Sequence, residues 1–205
     1  MSFFDSFLEF MDKGGPVMWV IFVTAWVALI MLIERAMRIQ KWYAKALFDQ
    51  QGFDSDSNYR PSVQAGQQAS PVAVLIDRIS WDDVDNEDDI AKQLSIQLAE
   101  IMPRLEGSLP TIAIIGSLLP MLGLLGTVTG MINVFEVIAL HGTGNPQEMA
   151  HGISQALLTT ASGLIIAIPV IFSHHLLVRR LRMMMAITEQ SMHMVYNQGM
   201  SGKPQ

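Results

Sequence analysis

The side chains of this sequence that could do chemistry are mostly polar residues inside two long apolar stretches, 109–140 and 151–178. They are Thr127, Asn133, Gln155, Thr159 and Thr160. Polar groups inside a membrane span are costly and are functional candidates by default. Hydroxyls and amides exchange hydrogen bonds but carry no titratable charge near neutral pH. The chain alone therefore offers no obvious proton carrier at mid-depth.

Glu136 is the single charged residue of the stretch 109–140. It lies about one helical turn from the end of that stretch, and Gln155 lies about one turn into the next one. The two residues could therefore sit at similar depth. Two interpretations of Glu136 stay open: it faces an aqueous vestibule or a partner, or it anchors the helix at the membrane interface.

Other reactive residue types give weak indications of an enzyme or a metal site. Glu148 and His151 have the spacing of the Glu-x-x-His motif of di-iron bundles, but the second copy that such a site needs is missing. The pair at His174 and His175 suits interfacial snorkelling better than metal binding. The sequence contains no Cys, and no P-loop or dinucleotide-binding fingerprint. We therefore predict no catalytic site, cofactor or metal.

The composition indicates a membrane protein. Hydrophobic residues make up 50% of the 205 residues, and charged residues make up 16%. Soluble domains carry about 25% charged residues. The net charge of −6 argues against a nucleic-acid partner and leaves membrane lipid as the expected surroundings.

Apolar runs and basic clusters predict an all-α protein with three spans and one topology. Basic residues follow the first and third runs and mark the cytoplasmic side; they are Arg35, Arg38, Lys41, Lys45, Arg179, Arg180 and Arg182. The N-terminus is then periplasmic and the C-terminus cytoplasmic. The predicted segments are a periplasmic interfacial amphipathic helix over 1–14, transmembrane helix 1 over 15–33, a cytoplasmic region over 34–107, transmembrane helix 2 over 108–140, a periplasmic loop over 141–150, transmembrane helix 3 over 151–178, and a cytoplasmic C-terminal helix and tail over 179–205.

The region 34–107 contains three kinds of segment. Residues 52–71 have the composition of a turn-rich connector. The strongly acidic run 82–89 is either a solvated loop that caps the next helix or a cation or partner site. Apolar residues then recur at steps of three and four over 90–105, which predicts an amphipathic helix.

Small residues form a stripe along each of the last two spans. These residues are Gly116, Gly123, Gly126, Thr127, Gly130 and Val134 in the second span, and Ala156, Thr160, Gly163, Ala167 and Val170 in the third. Small faces let helices approach closely in a membrane, where van der Waals contact drives association. We expect these stripes to pack helices, within one chain or between chains.

Two long motifs, 119–131 and 152–169, closely resemble the MotA/TolQ/ExbB proton-channel family, and most nearly its ExbB and TolQ branch. The resemblance covers about residues 105–178. The pore-lining threonines of the family fall on Thr127 and Thr160, and its helix prolines fall on Pro120 and Pro169.

The resemblance implies a subunit of an inner-membrane motor. Family members form a cyclic homopentamer around a central pore, with spans two and three long and extended into the cytoplasm. The pore holds two copies of an ExbD- or TolR-like single-span protein that carries the essential Asp. Proton flow then drives a TonB- or TolA-like protein, for TonB-dependent outer-membrane transport or for envelope maintenance.

One position departs from the family pattern, because Gln155 stands where ExbB and TolQ proteins commonly have Glu. A Gln cannot change charge, so the carboxylate must then come from a partner, and Gln155 could only help to solvate it. Two alternatives remain: a MotA-like flagellar stator subunit, which resembles this chain less because that type has four spans, and a passive membrane scaffold.

Overall fold

The computed structural model describes residues 3–55, 87–142 and 146–201, and these residues form helices without any strand. The helices are α1 (Phe3–Ser55), α2 (Glu87–Glu106), α3 (Leu109–His141) and α4 (Pro146–Ser201). The predicted helix over 90–105 is confirmed as the body of α2. The connector beyond Ser55 and the acidic run before Glu87 lie outside the described residues.

Three of the helices are long and apolar enough to cross a membrane. They are α1, α3 and α4, and each contains one of the three predicted spans. A helix satisfies its own backbone hydrogen bonds, which is what a segment in lipid requires. The prediction of an all-α chain with three apolar spans is confirmed.

The chain divides into two compact units. The apolar unit comprises Met1–Ile33 and Pro110–His175, and the polar unit comprises Glu34–Leu109 and Leu176–Gln205. The apolar unit contains the polar residues of the two spans, and the polar unit contains the basic clusters that follow spans one and three.

Helix α1 is kinked at Gly15, where φ is 67° and ψ is −166°. Glycine adopts this left-handed conformation readily because it has no Cβ. Pro16 follows and suits the first turn of a helix. The rings of Phe7 and Phe22 meet edge to face on the two sides of the kink, with centroids 5.2 Å apart. The kink falls at the predicted boundary between the amphipathic helix over 1–14 and transmembrane helix 1.

Helices α1 and α4 are longer than the predicted spans. Helix α4 begins at Pro146 and not at residue 151, because Pro146 fits the first helical turn and Glu148 complements the positive end of the helix dipole. It then runs to Ser201, and α1 runs to Ser55, without a break after the apolar residues end. A change from apolar to charged residues marks a membrane boundary but does not stop a helix.

Large side chains fill the polar unit. Its buried apolar residues are Ile39, Ala46, Ile101, Leu105, Leu109, Leu177, Leu181 and Met184. A short turn joins α2 to α3, where Gly107 has a φ of 46° and its N–H donates to the carbonyl oxygen of Pro103 at 3.0 Å. This turn ends α2 with a left-handed glycine, a common helix C-terminus.

Candidate functional site

Helices α3 and α4 pack backbone against backbone through glycines. A Cβ placed on Gly130 would lie 2.8 Å from both the Ala156 Cβ and the carbonyl oxygen of Gly152. A Cβ on Gly163 would lie 2.7 Å from the carbonyl oxygen of Leu119. Only residues without a side chain permit this approach, which maximises van der Waals contact where apolar lipid gives no hydrophobic driving force.

The contacts along this interface define an antiparallel register. Gly116 lies against Val170 and Ile171, and Gly123 lies against the backbone of Thr159 and Thr160. Gly126 lies against the Thr159 side chain, and Gly130 against Ala156. The structure therefore places Gly123, Gly126, Gly130 and Gly163 in one continuous interface within a single chain.

Pro120 and Pro169 lie inside α3 and α4, and neither helix is interrupted there. Pro120 is half-buried and Pro169 is exposed. A proline in a spanning helix leaves one backbone carbonyl without its usual N–H donor, and neighbouring groups can satisfy it.

Thr160 links the two helices directly. Its hydroxyl donates across the interface to the carbonyl oxygen of Gly123 at 2.9 Å, and its side chain stays partly exposed. Thr127 is also partly exposed, but its hydroxyl donates within α3 to the carbonyl oxygen of Leu124 at 2.6 Å. Each hydroxyl hydrogen is therefore held by a backbone carbonyl, and each oxygen retains acceptor capacity.

Thr159 has a different environment from its neighbour Thr160. It is fully buried, with 0% of its surface exposed, and it lies against Gly126. Its hydroxyl lies within hydrogen-bond distance of two carbonyl oxygens of its own helix, those of Gln155 at 3.0 Å and Ala156 at 2.9 Å. In a single chain Thr159 is a packing residue inside the helix pair.

Gln155 connects parts of all three spans. Only 7% of it is exposed, and its side-chain amide lies against the kink of α1 at Gly15. Its Oε1 lies 3.4 Å from the Nδ2 of Asn133 on α3, a long hydrogen bond. Sequence reasoning missed the contact with Gly15, because no spacing pattern relates residues 140 positions apart on different helices.

The remaining polar candidates lie at the surface. Asn133, Glu136, Glu148 and His151 are exposed. The ring Nδ1 atoms of His174 and His175 lie 3.4 Å apart. Among residues 3–55, 87–142 and 146–201, no three His, Cys, Asp or Glu side chains form a group that could hold a metal ion.

Residues 55–190 match the sequence profile of the MotA/TolQ/ExbB proton channel family. This chain belongs to that family, as the two motifs in α3 and α4 indicated. The match extends beyond residues 105–178, on which the resemblance rests, in both directions.

Named relatives are similar over parts of their length. The Tol-Pal system protein TolQ of Pseudomonas aeruginosa is 36% identical over 86 residues, which are 42% of this chain and 37% of that protein. The biopolymer transport protein exbB1 of Vibrio cholerae is 37% identical over 107 residues, 52% of this chain and 45% of that protein. The chain thus spans less than half the length of these two relatives.

A longer match is to a putative ExbB homolog of Methanothermobacter thermautotrophicus, which is 28% identical over 176 residues, 82% of this chain and 61% of that protein. Two of these relatives are named biopolymer transport proteins and one a Tol-Pal system protein, and the family is described as one of proton channels.

Proposed function

We propose that this chain is an ExbB/TolQ-like subunit of a motor complex in the bacterial inner membrane. In this proposal the proton-motive force acts through an ExbD/TolR-like partner on a TonB- or TolA-like protein. The result is TonB-dependent outer-membrane transport or envelope maintenance. The observation that carries the proposal is the close-packed pair of α3 and α4 with the partly exposed hydroxyls of Thr127 and Thr160 on it.

The two threonines suit a pathway that passes a carboxylic acid or a hydrated proton. Because both hydroxyl hydrogens are held by backbone carbonyls, each oxygen presents a lone pair to its surroundings. A lone pair accepts from the O–H of a protonated Asp and from water. When the Asp is ionised, a hydroxyl can rotate and donate to it, at the cost of its hydrogen bond to the backbone carbonyl. The threonines thus favour the protonated partner and solvate the ionised one less well.

The exposed apolar face of the helix pair supports an assembly of several chains. Large apolar side chains on α3 are exposed in the single chain, and they include Ile114, Met121, Leu124, Leu125, Val128 and Phe135. In a homopentamer around a central pore, these residues contact lipid, neighbouring subunits or the partner helix. The number five rests on the family resemblance alone.

The proposed orientation has a periplasmic N-terminus and a cytoplasmic C-terminus. Its support is the set of Arg and Lys residues that follow spans one and three, since cytoplasmic segments carry an excess of these residues. In this orientation the extensions of α1 beyond residue 33 and of α4 beyond residue 178 are cytoplasmic.

Copurification tests the motor proposal against a passive scaffold and against a MotA-like stator. We expect the full chain, coexpressed with a small single-span ExbD/TolR-like protein, to copurify with it in mild detergent. Native mass spectrometry should then give five copies of this chain with two of the partner. A dominant monomer or dimer without bound partner would contradict the proposal.

A further inference from the structure

Arg35 is a buried cation, and two of its nitrogen atoms lack hydrogen-bond partners in the described residues. It lies in the polar unit, two residues after the last apolar residue of span one, and only 4% of it is exposed. Its Nε and Nη2 are buried, and within the part of the chain that the structure describes they have no hydrogen-bond partner. A buried charge without hydrogen bonds is costly, so a group of this kind is a candidate to bind a partner of opposite charge.

The guanidinium lies over the turn that joins α2 to α3. A Cβ placed on Gly107 would lie 2.8 Å from Nη1 and 3.0 Å from Cζ of Arg35. Gly107 is itself exposed, so the guanidinium lies beneath an exposed turn. Helix α3 begins at Leu109, and the free N–H groups at a helix N-terminus favour an anion. A buried unpaired cation and a helix N-terminus thus converge on one turn.

The two unpartnered nitrogens have a geometry that selects the anion. Nε and Nη2 lie along one edge of the planar guanidinium and form a fork that matches two oxygens of a phosphate or a carboxylate. The ring of Trp42, 5.5 Å from Cζ, contacts the guanidinium and helps to hold it in place.

The nearby charged groups leave the fork without a partner. Glu34 forms an ion pair with Arg38. Glu106 is close enough to act electrostatically on Arg35, but in the described residues it forms no ion pair with it. Among the described residues, no carboxylate therefore pairs with the fork.

We propose that Arg35 and the Gly107 turn bind the phosphate group of an anionic phospholipid. Arg35 follows the apolar residues of span one, and the turn immediately precedes the apolar helix α3. In a membrane protein both positions are expected at the depth of the lipid headgroups, where phosphate is abundant. This proposal uses none of the residues assigned to the ion pathway, so either proposal can fail alone.

Lipid titration followed by native mass spectrometry tests the site on the delipidated full chain in detergent. We expect phosphatidylglycerol to bind more tightly than zwitterionic phosphatidylethanolamine. Arg35→Gln should weaken phosphatidylglycerol binding roughly tenfold, because it removes a charged, two-pronged contact. Arg38→Gln is the matched control, since Arg38 is exposed and already paired with Glu34; it should change the affinity by about twofold or less.

A second measurement on the unmodified chain covers the case in which Arg35→Gln does not fold. An arginine-specific dicarbonyl, followed by peptide mapping, should modify Arg35 more slowly as phosphatidylglycerol is added, while the rate at Arg38 stays constant. Equal lipid binding by Arg35→Gln and the parent chain, or an Arg35 rate unaffected by lipid, would overturn the proposal. Protection by millimolar inorganic phosphate as strong as that by lipid would identify a site for free phosphate and overturn the assignment to lipid.

Discussion

The interface between α3 and α4 in the apolar unit is packed differently from the polar unit, although both units bury large side chains, among them Met18, Ile21 and Leu119 in the apolar unit. In the apolar unit, α3 and α4 meet through glycines. Backbone atoms and the Thr159 side chain occupy the space that side chains at these glycines would need. In the polar unit, the buried positions hold large side chains such as Ile39, Leu181 and Met184. In lipid, burying a large apolar side chain gains little, so close backbone approach supplies the contact. In water, the same burial is the main stabilising contribution.

This difference predicts that the α3–α4 interface is most sensitive to added volume, and Gly126→Leu should have the largest effect. A Cβ at position 126 already overlaps the Thr159 side chain, and α3 cannot move away without losing its other contacts. We expect the free energy of unfolding to fall by more than about 3 kcal/mol, which is at the upper end of the range for overpacking. Thermal unfolding in detergent measures it. Ala139→Leu adds similar bulk at an exposed position of the same helix and should stay within about 0.5 kcal/mol.

The polar unit should instead be most sensitive to lost volume. Met184 is fully buried, so Met184→Ala should cost about 3 kcal/mol through lost burial and a residual cavity. The control is Met183→Ala at the adjacent position, which is 41% exposed and should cost less than about 1 kcal/mol. Comparable losses in the two variants would show that the buried packing of Met184 does not stabilise the polar unit.

A buried hydroxyl in the polar unit should matter least. Thr188 is 1% exposed, and its hydroxyl donates within its own helix to the carbonyl oxygen of Met184 at 2.8 Å. Thr188→Val keeps the shape of the side chain, and the Met184 carbonyl oxygen keeps its backbone N–H donor. The free energy of unfolding should therefore fall by less than about 1 kcal/mol. A much larger destabilisation in the same unfolding measurement would mean that this hydroxyl has a partner beyond its own helix.

The sequence predicted the spans well because apolar runs and basic clusters are local signals. The break at Gly14-Gly15 could also be predicted, since two glycines before a proline interrupt a helix locally. Helix α4 starts at Pro146, earlier than the predicted start at residue 151. The charged and polar residues before 151 were assigned to a loop, although they form the N-terminus of the helix. The continuation of α4 past residue 178 was predicted as a C-terminal helix, whereas the continuation of α1 to Ser55 was not, because helix propensity does not follow hydropathy.

The polar candidate residues of the spans could be listed from the sequence, but their contacts could not be predicted. The small-residue stripe and the family resemblance set Thr160 apart from Thr159, but the burial of Thr159 and the hydrogen bond of Thr160 to α3 were not predicted. That distinction depends on the rotation of α4 against α3, which the glycines fix through contacts between helices. The place of Gln155 beside Gly15 depends in the same way on tertiary packing.

Energy-dependent uptake by cells that carry the Thr127→Val, Thr160→Val double variant tests the central claim most directly. Valine keeps the shape of threonine and removes the hydroxyl, so assembly and copurification should persist as the structural control. We expect uptake to be lost in the double variant and in Thr160→Val, while the buried Thr159→Val retains most of it. Normal uptake by a correctly assembled double variant would contradict the claim that these hydroxyls belong to the ion pathway.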